Sequence, residues 1–136
     1  MDFMALRNFA TNYAAAWSSQ DPELLASFYA PEGTLTVNGG EAVVGRLAIA
    51  DTARSYMEAF PDMVVEMQAL QGNGERAEFH WLWTGTNSGP GGTGRAVRIT
   101  GYEEWTFGPD NLIVESKGHY DEALYRAQLN ATQPSE

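Results

Sequence analysis

The feature that most constrains the fold is a run of four alternating segments in the second half of the chain. Apolar and polar residues alternate along each segment, and glycine-containing turns separate the segments. They are Met63–Leu70, Ala77–Thr86, Ala96–Phe107 and Ile113–Tyr120. A period of two is typical of strands that bury one face. Because the turns between them are too short for parallel crossovers, the segments predict an antiparallel sheet.

The first half of the chain predicts helices. Apolar residues recur at three- and four-residue steps from Phe3 to Ser18, which indicates one buried helical face. Asp21-Pro22-Glu23 is typical of an N-cap and a first helical turn, and it predicts a second helix that reaches Tyr29. A short strand over Thr34–Val37 and a third helix from about Leu47 to Ala59 follow. Helices followed by an antiparallel sheet predict an α+β fold.

Length, charge and composition narrow the class of protein. The 136 residues predict one domain over residues 1–130, with a frayed tail over residues 131–136. A formal charge of −10 disfavours nucleic acid and anionic membranes as partners. The absence of cysteine excludes disulfides and thiolate chemistry. No signal peptide or bilayer-length apolar run is recognisable, so we expect a cytoplasmic protein.

Short motifs occur in order along nearly the whole chain. They are Ala16-Trp17, Gln20-Asp21, Tyr29-Ala30-Pro31-Glu32-Gly33, Val44-Gly45-Arg46, Ala59-Phe60-Pro61-Asp62, Arg76, His80-Trp81, Thr84-Gly85-Thr86, Thr93-Gly94-Arg95, Ile113-Val114-Glu115 and Asp121. Together they resemble the SnoaL-like polyketide cyclase group of the nuclear-transport-factor-2-like superfamily. The resemblance implies a conical barrel, in which a curved, mainly antiparallel sheet wraps around three N-terminal helices and encloses an apolar pocket. Relatives include cyclases, isomerases, epoxide hydrolases and dehydratases, so the fold alone does not settle the function.

The resemblance also implies a homodimer that forms through the sheet. Along the second long strand, Phe79, Trp81 and Trp83 share one face, and His80 points to the other. We therefore expect His80 to face solvent or a second copy of the chain. Residues such as His80, Leu82 and Arg98 would form the contact between the two copies.

The acid at the end of the last strand, Asp121, is the first catalytic candidate. In the resemblance it falls on the position of the acid that the cyclases use as general acid/base. Cofactor-free proton transfer needs a carboxyl group in apolar surroundings, because burial raises its pKa toward neutrality. His119 would share its face on an unbroken strand and could shuttle the proton or donate a hydrogen bond. Asp121 could equally well cap a terminal helix over Glu122–Leu129.

One position departs from the family pattern. Lys117, the only lysine of the chain, stands where the group's last strand usually carries an aromatic residue. An ammonium group near Asp121 would favour the carboxylate and oppose a raised pKa. Lys117 could have an electrostatic or Schiff-base role, or it could be a solvated strand residue. Neither His80 nor His119 has partners at metal-ligand spacing, so we predict no metal and no cofactor.

Aromatic residues predict the walls of the pocket. Most of them must form the core, and flat apolar walls suit a small hydrophobic ligand that contains a ring. The candidates for substrate contact are Tyr13, Trp17, Tyr56, Phe60, Trp81, Trp83, Tyr102, Glu104 and Lys117. On the third long strand, alternation allows either Glu103 alone or Tyr102 with Glu104 to face inward.

Two classes of function fit these observations. The first is a cofactor-independent cyclase, isomerase or lyase that acts on a hydrophobic carbonyl compound. Asp121 would be its base, and His119 or Tyr102 would be the hydrogen-bonding partner. The second is a non-catalytic module that binds a small apolar ligand or dimerises. Closed apolar walls around an inward acid favour the enzyme, and a filled core favours the module.

Overall fold

The computed structural model describes residues 1–130, so the predicted tail lies outside the described residues. The elements in chain order are α1 (Phe3–Ser18), α2 (Pro22–Ala26), β1 (Tyr29–Val37), β2 (Val43–Val44), α3 (Arg46–Ala59), β3 (Val64–Gly72), β4 (Arg76–Thr86), β5 (Ala96–Phe107), β6 (Ile113–Tyr120) and α4 (Glu122–Asn130). The strands form one six-stranded sheet in the order β2-β1-β6-β5-β4-β3. The α+β prediction is confirmed, and each of the four alternating segments forms a strand.

The sheet is antiparallel except at one place. The four long strands β3 to β6 pair antiparallel with their sequence neighbours, as predicted. β1 lies parallel to β6, with Thr34 beside Glu115 and Val37 beside Gly118. Parallel pairing is possible here because the chain between β1 and β6 runs through α3 and four strands rather than through a short turn.

The second helix is shorter than predicted. It ends at Ala26, and Tyr29 already belongs to β1, so the strand predicted over Thr34–Val37 extends further back. The N–H of Ile113 donates to the carbonyl of Phe28 at 3.0 Å, and Tyr29 pairs with Ile113. A two-turn helix gains little stability by itself because nucleation is costly. Phe28 and Tyr29, which the sequence placed in the second helix, therefore pair with β6 instead.

The core lies between the helices and the inner face of the sheet. On α1, the residues Leu6, Ala10 and Tyr13 are fully buried at the predicted helical spacing. The ring of Tyr13 packs edge-on against Phe79 and Trp105, with centroids 5.6 and 5.0 Å away. Fully burying a large apolar side chain contributes about 2–3 kcal/mol. These contacts fix α1 across the centre of the sheet.

The C-terminal helix α4 packs against the sheet with no fully buried residue. The ring of Tyr125 lies 5.2 Å from Trp83 and 5.6 Å from Tyr120, centroid to centroid. Gln128 accepts the N–H of Arg98 at 2.8 Å and donates to its carbonyl at 3.1 Å. The Gln128 side-chain amide thus bonds to the backbone of β5 at Arg98, a position of β5 that is not paired with β6. Within residues 1–130 the helices are too short or too polar to cross a membrane, and the cytoplasmic location stays a prediction.

Candidate functional site

A cavity of about 80 Å³ lies between the helices and the inner face of the sheet. Its lining combines aromatic and aliphatic side chains from every layer of the fold. The residues are Trp17, Leu35, Val37, Tyr56, Met63, Val65, Trp81, Trp83, Glu103, Gly118 and Tyr120. Of the described residues that line it, Glu103 is the only acid. The cavity therefore presents one carboxyl group to an otherwise apolar interior.

Of two glycines near Glu103 and Trp81, only Gly101 is sterically required, because a Cβ atom at Gly118 would make ordinary contacts. Gly118 pairs with Glu103 across β5 and β6, and a Cβ atom at Gly118 would lie 3.7 Å from Glu103 Cγ. Gly101 pairs with Trp81, whose ring lies across it. An added Cβ there would come within 2.5 Å of Trp81 Cζ2 and would collide with the carbonyl of His119. Only glycine therefore fits at position 101, because the Trp81 ring takes the space of a Cβ atom there.

The carboxyl group of Glu103 is held at one oxygen by three donors. The Tyr13 hydroxyl donates to Oε1 at 2.8 Å, the Trp105 indole N–H at 2.9 Å and the Ser116 hydroxyl at 2.7 Å. Among the described residues no donor reaches Oε2. An oxygen that accepts three hydrogen bonds has no free lone pair for its own hydrogen. When Glu103 is neutral, its hydrogen is therefore on Oε2.

A second tyrosine extends this network away from the cavity. The hydroxyl oxygens of Tyr13 and Tyr29 are 2.8 Å apart, and both side chains are fully buried. Tyr13 has a single hydroxyl hydrogen, which it donates to Glu103. Tyr29 must then be the donor to Tyr13, so the hydrogen bonds all run toward the carboxyl group.

Burial sets the protonation of the network. It raises the pKa of Glu103, and the hydrogen bonds from Trp105, Ser116 and Tyr13 oppose this rise only in part. Burial also raises the pKa of Tyr13 and of Tyr29, and the negative charge of Glu103 raises both further. Both tyrosines therefore keep their hydrogens. Glu103 therefore becomes protonated at a pH closer to neutrality than an exposed glutamate does.

Several predicted contact residues lie on the outer face of the sheet, away from the cavity. Tyr102 stacks between His80 and His119, with ring centroids 5.2 and 4.7 Å away. His119 Nε2 lies 2.8 Å from Glu104 Oε1, and Lys117 pairs with Glu104 in register on the same face. The alternative in which Tyr102 and Glu104 face inward is therefore wrong, and Glu103 alone faces inward. His80 points outward as predicted.

The acid Asp121 is exposed at the start of α4. Its Oδ1 accepts the N–H of Leu124 at 3.0 Å, which is the geometry of a helix N-cap. The last strand brings His119 to the outer face, so Asp121 and His119 do not meet at the apolar cavity. Their catalytic roles stay predictions, which this placement does not support.

The other predicted contact residues divide into two groups. Trp17, Tyr56, Trp81 and Trp83 are in the wall of the cavity. Tyr13 and Phe60 stand behind the wall, where Tyr13 holds Glu103 and the ring of Phe60 packs 4.9 Å from that of Trp83. Sequence reasoning left Glu103 as one of two alternatives. Tyr29 and Ser116 were not linked to it, because no local signal connects positions on different strands, and Trp105, two residues along β5, could be linked to it only once the inward face of β5 was known.

Residues 10–116 match the profile of the SnoaL-like domain, which covers most of the chain. The chain belongs to the SnoaL-like family. The cavity of this chain lies between α1, α3 and the inner sheet face, where Trp17 and Tyr56 are its helical lining residues. No curated protein matches the chain at the level of sequence.

Solved structures share this SnoaL-like architecture. TsrD from Streptomyces laurentii superposes with a TM-score of 0.82 at 18% identity, over 97% of this chain and 99% of that one. A hypothetical protein of ketosteroid isomerase-like fold from Catenulispora acidiphila, in complex with trimethylamine, gives 0.78 at 18% identity, over 89% and 91%. A putative SnoaL-like polyketide cyclase from Jannaschia sp. CCS1 gives 0.77 at 15% identity, over 92% and 94%. At these identities the likeness establishes the fold alone.

Proposed function

We propose that this SnoaL-like protein is an enzyme that moves a proton on a small apolar carbonyl compound, with Glu103 as its acid/base. One observation carries the proposal. All the donors that hold Glu103 bind Oε1, so Oε2 is the carboxyl atom left for a ligand in the cavity. Such fixed orientation is what a positioned general base requires.

The chemistry needs no group beyond the carboxyl. Ionised Oε2 would take a proton from the carbon next to a carbonyl group. The electron pair of that C–H bond would form a C=C bond, and the π pair of the carbonyl group would move to its oxygen to give an enolate. Glu103, now neutral on Oε2, would return the proton to the same or another carbon. A raised pKa brings the two protonation states closer in energy near neutral pH, and apolar walls exclude competing water.

The size of the cavity limits the substrate. Its volume of about 80 Å³ is below the range of roughly 300–1,000 Å³ found for typical ligand pockets. An engineered apolar cavity of about 150 Å³ holds benzene. We therefore propose a substrate no larger than one small ring, or the reactive end of a larger hydrophobic molecule.

The non-catalytic binding module is the alternative. It would use the same apolar walls without proton transfer. A hydrophobic wall explains ligand binding but gives no reason to bury an acid and hold one of its oxygens with three donors. A carboxyl group with a pKa raised by burial is what proton transfer near neutral pH needs, and this favours the enzyme.

The homodimer through the outer sheet face also stays a proposal. On this face His80 is half-buried and Arg98 is exposed, whereas Leu82 is already buried within the chain. Dimerisation would therefore rest on the polar and aromatic side chains of the face rather than on Leu82. Light scattering at micromolar concentration should give twice the mass of one chain, and a monomeric mass would remove this proposal.

Deuterium exchange tests the catalytic proposal without knowledge of the natural substrate. Cyclopentanone is incubated with the protein in D₂O, and loss of the signal of the hydrogens next to the carbonyl is followed by NMR. We expect the wild type to accelerate exchange, and Glu103→Gln to lower the acceleration by roughly a hundredfold or more. Asp121→Asn, which changes an acid outside the cavity, is the matched control and should exchange like the wild type.

The outcomes separate the candidate functions. Undiminished exchange in Glu103→Gln, with a loss in Asp121→Asn, would return the catalytic role to Asp121. If cyclopentanone binds but the protein does not accelerate exchange, the binding module is favoured.

A further inference from the structure

Two tryptophans that line the cavity each have a buried nitrogen atom without a hydrogen-bond partner among the described residues. The indole Nε1 atoms of Trp81 and Trp83 are fully buried and donate to no acceptor among the described residues. Both side chains line the cavity and are more than nine-tenths buried. A third unpaired buried nitrogen is Asn38 Nδ2, in the turn after β1. All three are N–H donors.

An unpaired buried donor is unusual because it costs about 1–3 kcal/mol. Two such donors occur two residues apart on β4, on the face that lines the cavity. Trp105, one strand away on β5, shows the usual solution, since its indole N–H donates to Glu103 Oε1 at 2.9 Å. Two tryptophans of the cavity wall therefore carry donors that the described residues do not satisfy.

We propose that the indole N–H groups of Trp81 and Trp83 bind acceptor oxygens of the ligand and select for them. A ligand with a carbonyl or ether oxygen gains one or two hydrogen bonds in a water-poor site, and a hydrocarbon of the same shape leaves the donors unpaired. A ligand whose polar groups are only donors would gain nothing from them. The selected class is thus an apolar molecule with acceptor oxygens facing β4.

This proposal deepens the proposed function, because it takes the cavity as the ligand site, but it does not depend on Glu103 as a base. If Glu103 removes a proton next to a carbonyl group, negative charge develops on the carbonyl oxygen. N–H donors fixed in an apolar wall stabilise such charge without reorganising. Trp81 and Trp83 would then bind the oxygen while Glu103 handles the proton.

The competing explanation is that aromatic rings occupy the N–H groups. The ring of Trp83 packs edge-on against those of Tyr56 and Phe60, at centroid distances of 5.7 and 4.9 Å. Trp81 packs in a similar way against Tyr120 at 6.2 Å. An N–H group aimed at a ring face gains a weak interaction, which a ligand would have to replace.

Spectra of the indole N–H groups decide between these possibilities. The protein is labelled with ¹⁵N, and the indole signals are assigned with Trp81→Phe and Trp83→Phe. Cyclopentanone is titrated against methylenecyclopentane, which has a similar shape but no acceptor oxygen. We expect the ketone to move the proton signal of Trp81 or Trp83 downfield, and the hydrocarbon to leave it in place. The Trp105 signal is the internal control, because its N–H is already bonded to Glu103.

Affinities give a second readout. Trp81→Phe or Trp83→Phe should reduce the preference for ketone over hydrocarbon by roughly three- to tenfold, the value of one neutral hydrogen bond. Trp17→Phe is the matched control, since Trp17 lines the same cavity and its nitrogen is not among the unpaired buried atoms. It should weaken both ligands alike and leave the preference unchanged.

The proposal is overturned if ketone and hydrocarbon bind equally with no indole shift, or if neither binds. The same titration in Glu103→Gln keeps it separate from the catalytic proposal. An indole shift in that variant, with deuterium exchange lost, supports both proposals. Deuterium exchange in the wild type without any indole shift would support the role of Glu103 and remove that of the two tryptophans.

Discussion

Replacement of Tyr13 by phenylalanine tests whether the hydrogen-bond network runs toward Glu103. The change removes the hydroxyl that donates to Glu103 Oε1 at 2.8 Å and accepts from Tyr29 at 2.8 Å. A hydrogen bond to a carboxyl group contributes about 1–3 kcal/mol, and a buried hydroxyl left without an acceptor costs about 1–3 kcal/mol. We expect Tyr13→Phe to lower the free energy of unfolding by about 2–6 kcal/mol, the sum of the two contributions.

The matched control is Tyr29→Phe. It removes only the outer donor, so Tyr13 keeps its bond to Glu103 and no hydrogen-bond donor is left unpaired. The expected loss is about 1 kcal/mol. In a protein that already carries Tyr29→Phe, the change Tyr13→Phe leaves no Tyr29 hydroxyl without an acceptor. The double variant should therefore lose about 1–3 kcal/mol less than the sum of the single losses, which is the cost of the stranded hydroxyl.

Ser116 offers the Tyr29 hydroxyl a second acceptor, and this sets the lower limit of the stability loss expected for Tyr13→Phe. Its hydroxyl lies near enough to Tyr29 to lower the pKa of that tyrosine. If the Tyr29 hydroxyl turns to Ser116 in Tyr13→Phe, the cost falls toward 2 kcal/mol. The order of the two single variants does not change, because Tyr13→Phe still removes the bond to Glu103.

Urea unfolding followed by tryptophan fluorescence measures these losses, provided the slope with denaturant is unchanged. Carbon NMR of the Glu103 side chain gives an independent readout. The Tyr13 hydrogen bond lowers the pKa of Glu103, so that pKa should rise in Tyr13→Phe and change less in Tyr29→Phe. If Tyr29→Phe costs as much as Tyr13→Phe, or if the losses simply add, the deduced direction of the network is wrong.

Two further predictions concern the two acids. Because burial raises the pKa of Glu103 above its ordinary value of 4.5, the folded state binds the proton more tightly than the unfolded state. The stability of the wild type relative to Glu103→Gln should be greatest below pH 4.5 and should fall as the pH rises through the folded pKa, by about 1.4 kcal/mol per pKa unit of separation. Urea unfolding of both proteins from pH 4 to 8 measures this, and a constant difference would contradict it. For the exposed cap, thermal unfolding by circular dichroism should show a loss of about 1 kcal/mol in Asp121→Ala and only a few tenths in Asp121→Asn. Equal losses in these two variants would argue against capping.

The candidate site was predictable in part. The sequence indicated that Trp17, Tyr56, Trp81 and Trp83 are wall residues, because each is aromatic and lies on the apolar face of its own helix or strand. It could not choose the facing of β5 around Glu103. A period of two is equally consistent with either face, and three polar or hydroxyl-bearing residues follow one another there.

The role of the last strand shows the same limit. Local pattern determined that β6 ends near Tyr120 and that a helix follows it. Whether Asp121 enters the cavity or caps α4 depends on which face of β6 packs inward, and Gly118 and Tyr120 take that face. His119 and Lys117 are therefore turned outward by the packing of the sheet as a whole.

The sequence by itself determined α1, α3 and the four long strands, because the periods of two and of about 3.6 are local properties of a few consecutive residues. The motif order along the chain also determined the family. Only the tertiary structure decided the parallel pairing of β1 with β6 and the site around Glu103. Tyr13 lies 90 positions from Glu103 along the chain, and Ser116 lies 13 positions from it. Hydrogen bonds between such distant positions depend on how whole elements pack, and no local pattern encodes that packing.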